Sequence, residues 1–213
     1  MSFNMRAGRG MDGQLNLERI AEVIRRQQPD YVGLQEVDSL TDRSGGVDQV
    51  TELGRMTGMH PLFAAAIPYE GGGYGIAALV REQPLSVRTL PLPGKEEPRT
   101  SLVLEYPDYL LFNTHLSLTQ ESREHSIRLL RRVVEAYGKP ALITGDFNME
   151  PHDTEVLLMG EGCTLLSDST QRTFPADQPN VTIDYIWGLR GYSYRVSQSI
   201  SSLKKGCFCI DYA

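Results

Sequence analysis

Ala141-Leu142-Ile143-Thr144-Gly145-Asp146-Phe147-Asn148 is the stretch whose reading decides the fold. Four apolar or β-branched residues have the length and composition of a short buried strand, and the glycine that follows opens onto a carboxylate and a carboxamide. Upstream, residues 117–137 place Ile127, Leu130, Val134 and Tyr137 along one helical face. Ser117-Leu118-Thr119-Gln120 supplies a capping box for that helix, Gly138 a C-terminal stop and Pro140 a bar to continuation. Before the helix, the β-rich runs 101–106 and 109–114 flank the turn dipeptide Pro107-Asp108, which predicts a hairpin ending at His115. Hairpin, helix and strand in succession specify an α/β protein with some antiparallel pairing, which excludes a purely parallel doubly wound sheet.

The flanking segments agree. Residues 16–28 set Leu17, Ile20, Ala21 and Ile24 at helical spacing, with Asn16 as N-cap and Pro29 marking the end. They run into Tyr31-Val32-Gly33-Leu34-Gln35-Glu36, a β-type run that delivers a charge at its end. Gly71-Gly72-Gly73-Tyr74-Gly75 reads as a turn before a strand at 76–80. Residues 181–187 and 192–200 read as a last pair of strands joined through 188–191, with Asp184 inside an apolar stretch. Layers of mixed sheet covered by helices fit this order, and one domain over 1–213 fits its length.

Composition narrows the function classes. The 213 residues are 40% hydrophobic and carry 21 Lys and Arg against 27 Asp and Glu, a net charge of −6 without a basic run, so grip on a nucleic-acid backbone is not advertised. Apolar stretches such as 62–67 are too short to span a bilayer. Three cysteines, with Cys207 and Cys209 at a spacing that matches no strong zinc or redox motif, suit a reduced compartment. The first ten residues have no signal-type apolar core, which favours the cytoplasm unless a leader has been removed. A monomer is expected.

Asn4, Glu36, His115, Asp146, Asn148 and Asp184 each fall inside or at the end of an apolar run. Any one alone is ordinary as a cap, a turn former or a half-buried histidine. Together they mark several strand ends with polar groups, and strand ends on one edge of an α/β sheet are where sites assemble. Carboxylates and carboxamides are hard oxygen donors suited to Mg²⁺, with Mn²⁺ or Ca²⁺ as alternatives. Cleaving a phosphate ester requires an activated water, stabilisation of charge on the phosphoryl oxygens and help for the leaving oxygen, and this set can supply all three.

Ser2-Phe3-Asn4, Leu34-Gln35-Glu36-Val37, Thr114-His115-Leu116, Gly145-Asp146-Phe147-Asn148 and Ile183-Asp184-Tyr185-Ile186 resemble, in order, the motifs of the endonuclease/exonuclease/phosphatase superfamily, nearest its pancreatic deoxyribonuclease-like and sphingomyelinase-like branch. The resemblance implies a four-layer α/β sandwich with two mixed β-sheets flanked by helices, and a metal-dependent phosphoesterase, as a diesterase in the first instance. By the same resemblance Glu36 binds metal and Asn4 orients metal or phosphate. Asp146 orients or deprotonates water, and Asn148 bonds a phosphoryl oxygen. His115 donates to the phosphate or leaving group, Asp184 matches the partner of a final histidine, and Arg99 falls near substrate.

The pattern breaks at its close. The family ends on Ser-Asp-His, whereas no histidine follows His152 and only Asp211-Tyr212 stands near the expected position. With only three residues before Asn4, the expectation is a domain incomplete at both ends that lacks its last strand; the alternative is a non-catalytic binding or scaffold protein of the same fold. Inositol polyphosphate phosphatase motifs are missing, and abasic-site endonucleases commonly have tyrosine at the His115 position. A phospholipid head group, a sugar phosphate, a nucleotide or DNA remains as substrate, with Arg43, Arg81 and Arg99 as the cluster that would touch DNA phosphates.

Overall fold

The computed structural model describes residues 1–195. Its strands are β1 (Ser2–Asn4), β2 (Tyr31–Ser39), β3 (His60–Tyr69), β4 (Gly72–Val80), β5 (Ser86–Leu92), β6 (Arg99–Glu105), β7 (Leu110–His115), β8 (Ala141–Asp146), β9 (Cys163–Leu165) and β10 (Asp184–Leu189). Its helices are α1 (Leu17–Gln27), α2 (Gln49–Thr57), α3 (Gln120–Tyr137) and α4 (Thr154–Gly160). The strands form a four-stranded sheet, β1-β2-β4-β3, and a six-stranded sheet, β5-β6-β7-β8-β10-β9. Both are mixed: β1 runs parallel to β2 and β7 parallel to β8, and the other pairs are antiparallel.

Side-chain alternation explains the layering. Along β4, Ala77 and Leu79 point to α1 and α2, while Ile76, Ala78 and Val80 face the second sheet. Along β7, Leu110 and Phe112 meet α3, and Leu111 faces the first sheet. The result is helix, sheet, sheet, helix, the α/β sandwich expected from the sequence. α1 begins where expected, with the Asn16 side chain accepting from Arg19 N, and it ends at Gln28 in the left-handed conformation.

A polar contact fixes how the sheets meet. Asn113 Nδ2 donates to the carbonyls of Leu34 and Ala77, both at 2.8 Å, and its Oδ1 accepts from Gln35 Nε2 at 2.6 Å. This buried amide on β7 thereby joins β2 and β4. Gly33 makes room for it, since a Cβ there would lie 2.7 Å from both Asn113 Oδ1 and Thr144 Oγ1. Such a fully bonded buried group defines one sheet-to-sheet register, because any slip leaves polar atoms unpaired.

Four sequence expectations are corrected. The capping box does not form: α3 starts at Gln120 after Thr119, and the Ser117 hydroxyl donates to Glu96 instead. The 71–75 stretch is mostly strand, with the turn at Glu70-Gly71. Glu36 lies inside β2, not at its end. Residues 192–195 are not strand, because the chain turns at Gly191 and Tyr194 folds back to donate to the carbonyls of Ala141 and Leu189. Residues 196–200, Cys207, Cys209 and Asp211-Tyr212 lie outside the described residues. No helix among the described residues is long and apolar enough to cross a membrane.

Candidate active site

Asn4 closes β1 beside Gln35 of β2, and His115 and Asp184 are both register neighbours of Asp146. One edge of the two sheets therefore gathers the polar strand ends. Glu36 reaches the same edge through a bulge: pairing with β4 shifts between Leu34 and Val37, and Glu36 adopts a φ of +54°. A left-handed glutamate within a strand is strained, and bulges of this kind re-aim side chains. The bulge turns Glu36 toward Asn4, whose Nδ2 donates both to Glu36 Oε1 at 2.8 Å and to Asp146 Oδ2 at 3.1 Å. One amide thus ties a carboxylate of the first sheet to a carboxylate of the second.

Asp146 has its other oxygen committed as well, because Oδ1 accepts from the backbone N of Asn148 at 3.0 Å. That turn holds Asn148 at a φ of +49°, and its Nδ2 donates to the Leu116 carbonyl at 2.9 Å. Burial pushes the Asp146 pKa up, although the donations from Asn4 and Asn148 oppose the shift. Asp184 is driven well above the usual carboxylate range, first by burial and then by the charge of Asp146, with a Thr173 hydrogen bond opposing. Among the described residues its buried Oδ1 has no hydrogen-bond partner.

His115 is 7% exposed. Burial, followed by the neighbouring Arg99 charge, lowers its pKa to about 4 against the pull of Glu36 and Glu96, so the ring is neutral at pH 7. Nδ1 lies 3.3 Å from Arg99 Nη1 and Nε2 lies 3.8 Å from Asp146 Oδ2. Arg99 is itself buried and pairs with Glu96 at 2.9 Å and Glu97 at 3.0 Å. Burial would raise the Glu96 pKa, yet hydrogen bonds from Ser117, Leu118 and Arg99 bring it down to about 2.

A cleft of about 390 Å³ opens onto Asn4, Glu36, Asp146 and Asp184 and continues past Met5 and Phe174. Its size suits a small organic ligand. Among the described residues no three His, Cys, Asp or Glu side chains form a ready-made metal cage. A Mg²⁺-type ion does not require one, since it is commonly held by one or two carboxylates, waters and substrate phosphates. The half-buried Glu36 carboxylate is a hard oxygen donor that fits such an ion, while the Asn4 amide turns its N–H groups to Glu36 and Asp146 and its Oδ1 accepts from Arg6 N.

The six site residues from the motifs converge, and Arg99 joins them through His115. The proposed DNA-contacting trio is split, although Arg43 and Arg99 both act electrostatically on Tyr74. Arg81 pairs with Asp30 at the opposite end of β2, and Arg43 is clamped by buried Asp38 while stacking on Tyr69 and Tyr74. Sequence reading missed Glu96; its place three residues before Arg99 was the available signal. It also missed Thr173, for which the sequence carries none.

An acidic, histidine-containing site built across one edge of a two-sheet α/β sandwich defines a fold class that the comparisons specify further. The Endonuclease/Exonuclease/phosphatase family model matches residues 1–197, and the chain belongs to that family. Similar solved structures include an endonuclease/exonuclease/phosphatase from Beutenbergia cavernae, with a TM-score of 0.70 at 20% identity over 96% of this chain and 68% of that one. A mannosyl-6-phosphatase from Bacteroides thetaiotaomicron gives a TM-score of 0.70 at 18% identity over 89% of this chain and 84% of its own. The human Nocturnin catalytic domain with bound sulfate gives 0.62 at 18% identity over 83% and 76%. At these identities the likeness concerns the fold. No match was found among curated proteins.

Proposed function

We propose that the protein is a metal-dependent phosphoesterase, with a phosphodiester as its first candidate substrate. The observation that carries this reading is the Asn4 amide bridging Glu36 and Asp146, which sets a metal-type carboxylate beside a carboxylate able to act on water. A divalent cation, when bound, supplies positive charge to the phosphoryl oxygens and the attacking water. Glu36 would hold it, with Asn4 beside it orienting the metal or the phosphate. Asp146 orients the water and receives its proton, and its raised pKa suits a group that must accept one. Asn148 bonds a phosphoryl oxygen through its amide, and His115 donates to the phosphate or the leaving oxygen. Asp184, opposite Asp146 in the β10–β8 register, matches by the family resemblance the partner of a final histidine, and burial and the Asp146 charge favour its protonated form. Family membership and the fold shared with a mannosyl-6-phosphatase support a phosphate ester as substrate, a sugar phosphate among them.

The test is hydrolysis of bis-p-nitrophenyl phosphate and p-nitrophenyl phosphate with Mg²⁺, Mn²⁺ or EDTA. Turnover is expected only with metal and is expected to vanish in Asp146→Ala. Turnover in EDTA would overturn the reading, and a clean protein inert on both esters would favour a non-catalytic binding role.

A further inference from the structure

We propose that Arg99 is a positioning residue that fixes His115 as the imidazole tautomer protonated on Nε2, making His115 a hydrogen-bond donor in the phosphoesterase site and not an imidazolium acid. The inference rests on the phosphoesterase reading for its catalytic consequence alone. A guanidinium only donates hydrogen bonds. With Arg99 Nη1 at 3.3 Å from His115 Nδ1, that nitrogen must present its lone pair, so the ring proton resides on Nε2. Nε2 faces Asp146 Oδ2 at 3.8 Å, outside hydrogen-bond range, and keeps its proton for a substrate oxygen.

Arg99 holds this role because it is clamped. Glu96 Oε1 accepts from its Nε at 3.3 Å and its Nη2 at 2.9 Å, and Glu97 Oε1 lies 3.0 Å from Nη1. Glu96 is held in turn by the Ser117 hydroxyl at 2.7 Å and the Leu118 backbone N at 2.8 Å, both just beyond His115 in the chain. The loop before β6 and the loop after β7 are therefore locked together around the guanidinium. A protonated His115 would aim an Nδ1–H at this cation, an arrangement with no acceptor between two donors. The carboxylates of Glu36 and Glu96 favour the imidazolium, and the ring's burial and the Arg99 contact oppose them.

The experiment is ¹⁵N NMR of the histidine-labelled protein at pH 7, with and without Mg²⁺, the His115 signals being assigned by their loss in His115→Gln. The expected wild-type result is a protonated Nε2 and an unprotonated Nδ1. Arg99→Leu is expected to populate the Nδ1–H tautomer and to lower kcat on bis-p-nitrophenyl phosphate on the order of 10²-fold, the size of losing one preorganised donor, with KM little changed. Arg99→Gln retains an amide donor and is expected to restore the tautomer and part of the rate. A protonated Nδ1 in the wild type overturns the proposal, as does an Arg99→Leu protein with an unchanged tautomer. If Arg99→Leu does not fold, the wild-type spectrum decides. The tautomer is read without turnover, so an inert protein with Nε2–H would refute the phosphoesterase reading and leave the role of Arg99 standing.

Discussion

Asp184→Asn should stabilise the metal-free protein at neutral pH. Asp184 stands directly opposite Asp146 in the β10–β8 register, both carboxyls are buried, and Asp184 Oδ1 has no partner among the described residues. Two carboxylates at the roughly 5 Å typical of directly opposed cross-strand residues, at an effective dielectric near 20, repel by about 3 kcal/mol, an upper bound once screening and partial protonation act. Loss of that repulsion is worth roughly 1–3 kcal/mol, which for a chain of this size corresponds to a Tm higher by about 2–12 °C. The sign with pH follows from linkage. A carboxyl whose folded pKa is raised contributes stability that is complete below its unfolded value of 3.8 and is lost as pH rises through the folded value. The gain from Asp184→Asn should therefore be largest at pH 7.5 and shrink as pH falls toward 4. Calorimetry in EDTA across that range measures it, and Mg²⁺ should stabilise the wild type more than the variant. A variant that melts below the wild type at pH 7.5 in EDTA would refute the reasoning.

Other perturbations probe separate parts of the structure. Asn113→Leu strips partners from the Leu34 and Ala77 carbonyls and from Gln35 Nε2, so urea unfolding should show a loss of roughly 2–5 kcal/mol; no loss would mean that the amide does not join the sheets. His115 is buried with a pKa lowered from 6.5 to about 4, so it contributes stability that is present above pH 6.5 and lost as pH falls toward 4; His115→Gln should flatten that acid limb. Asn4→Ala removes the bridge between Glu36 and Asp146 and should weaken metal activation by about 10–100-fold, read as the Mg²⁺ concentration at half-maximal rate.

Much of this architecture was legible because it depends on local pattern. The hairpin around Pro107-Asp108, the helices with their stops at Gln28 and Gly138, and the polar ends of β1, β7 and β8 follow from alternation, helical spacing and glycine. What escaped depends on partners distant in sequence. The Ser117-to-Gln120 motif has capping chemistry, but Glu96 binds the serine hydroxyl and the helix starts later. Glu36 looks like a strand end because its run stops being apolar there, yet the strand continues to Ser39 through a bulge that only the spacing of β4 reveals. Arg81 reads in the sequence as a companion of Arg43, but the antiparallel register of β4 carries it to the far end of the sheet.

The site is in effect a contact between two sheets. Asn4 and Glu36 come from the first, His115, Asp146 and Asp184 from the second, and no segment of the chain could bring them together alone. Their relative position is set where Asn113 meets Leu34, Gln35 and Ala77, immediately behind Glu36 in β2 and two residues before His115 in β7. A shift of the sheets too small to unfold the protein would still lengthen the 2.8 Å and 3.1 Å bonds of Asn4. Catalytic geometry degrades steeply over displacements of about 1 Å. Substitutions at Gly33, which would crowd Asn113, or at Gln35, whose side chain bonds Ser2 and Asn113, should therefore reduce activity at temperatures where the fold remains intact.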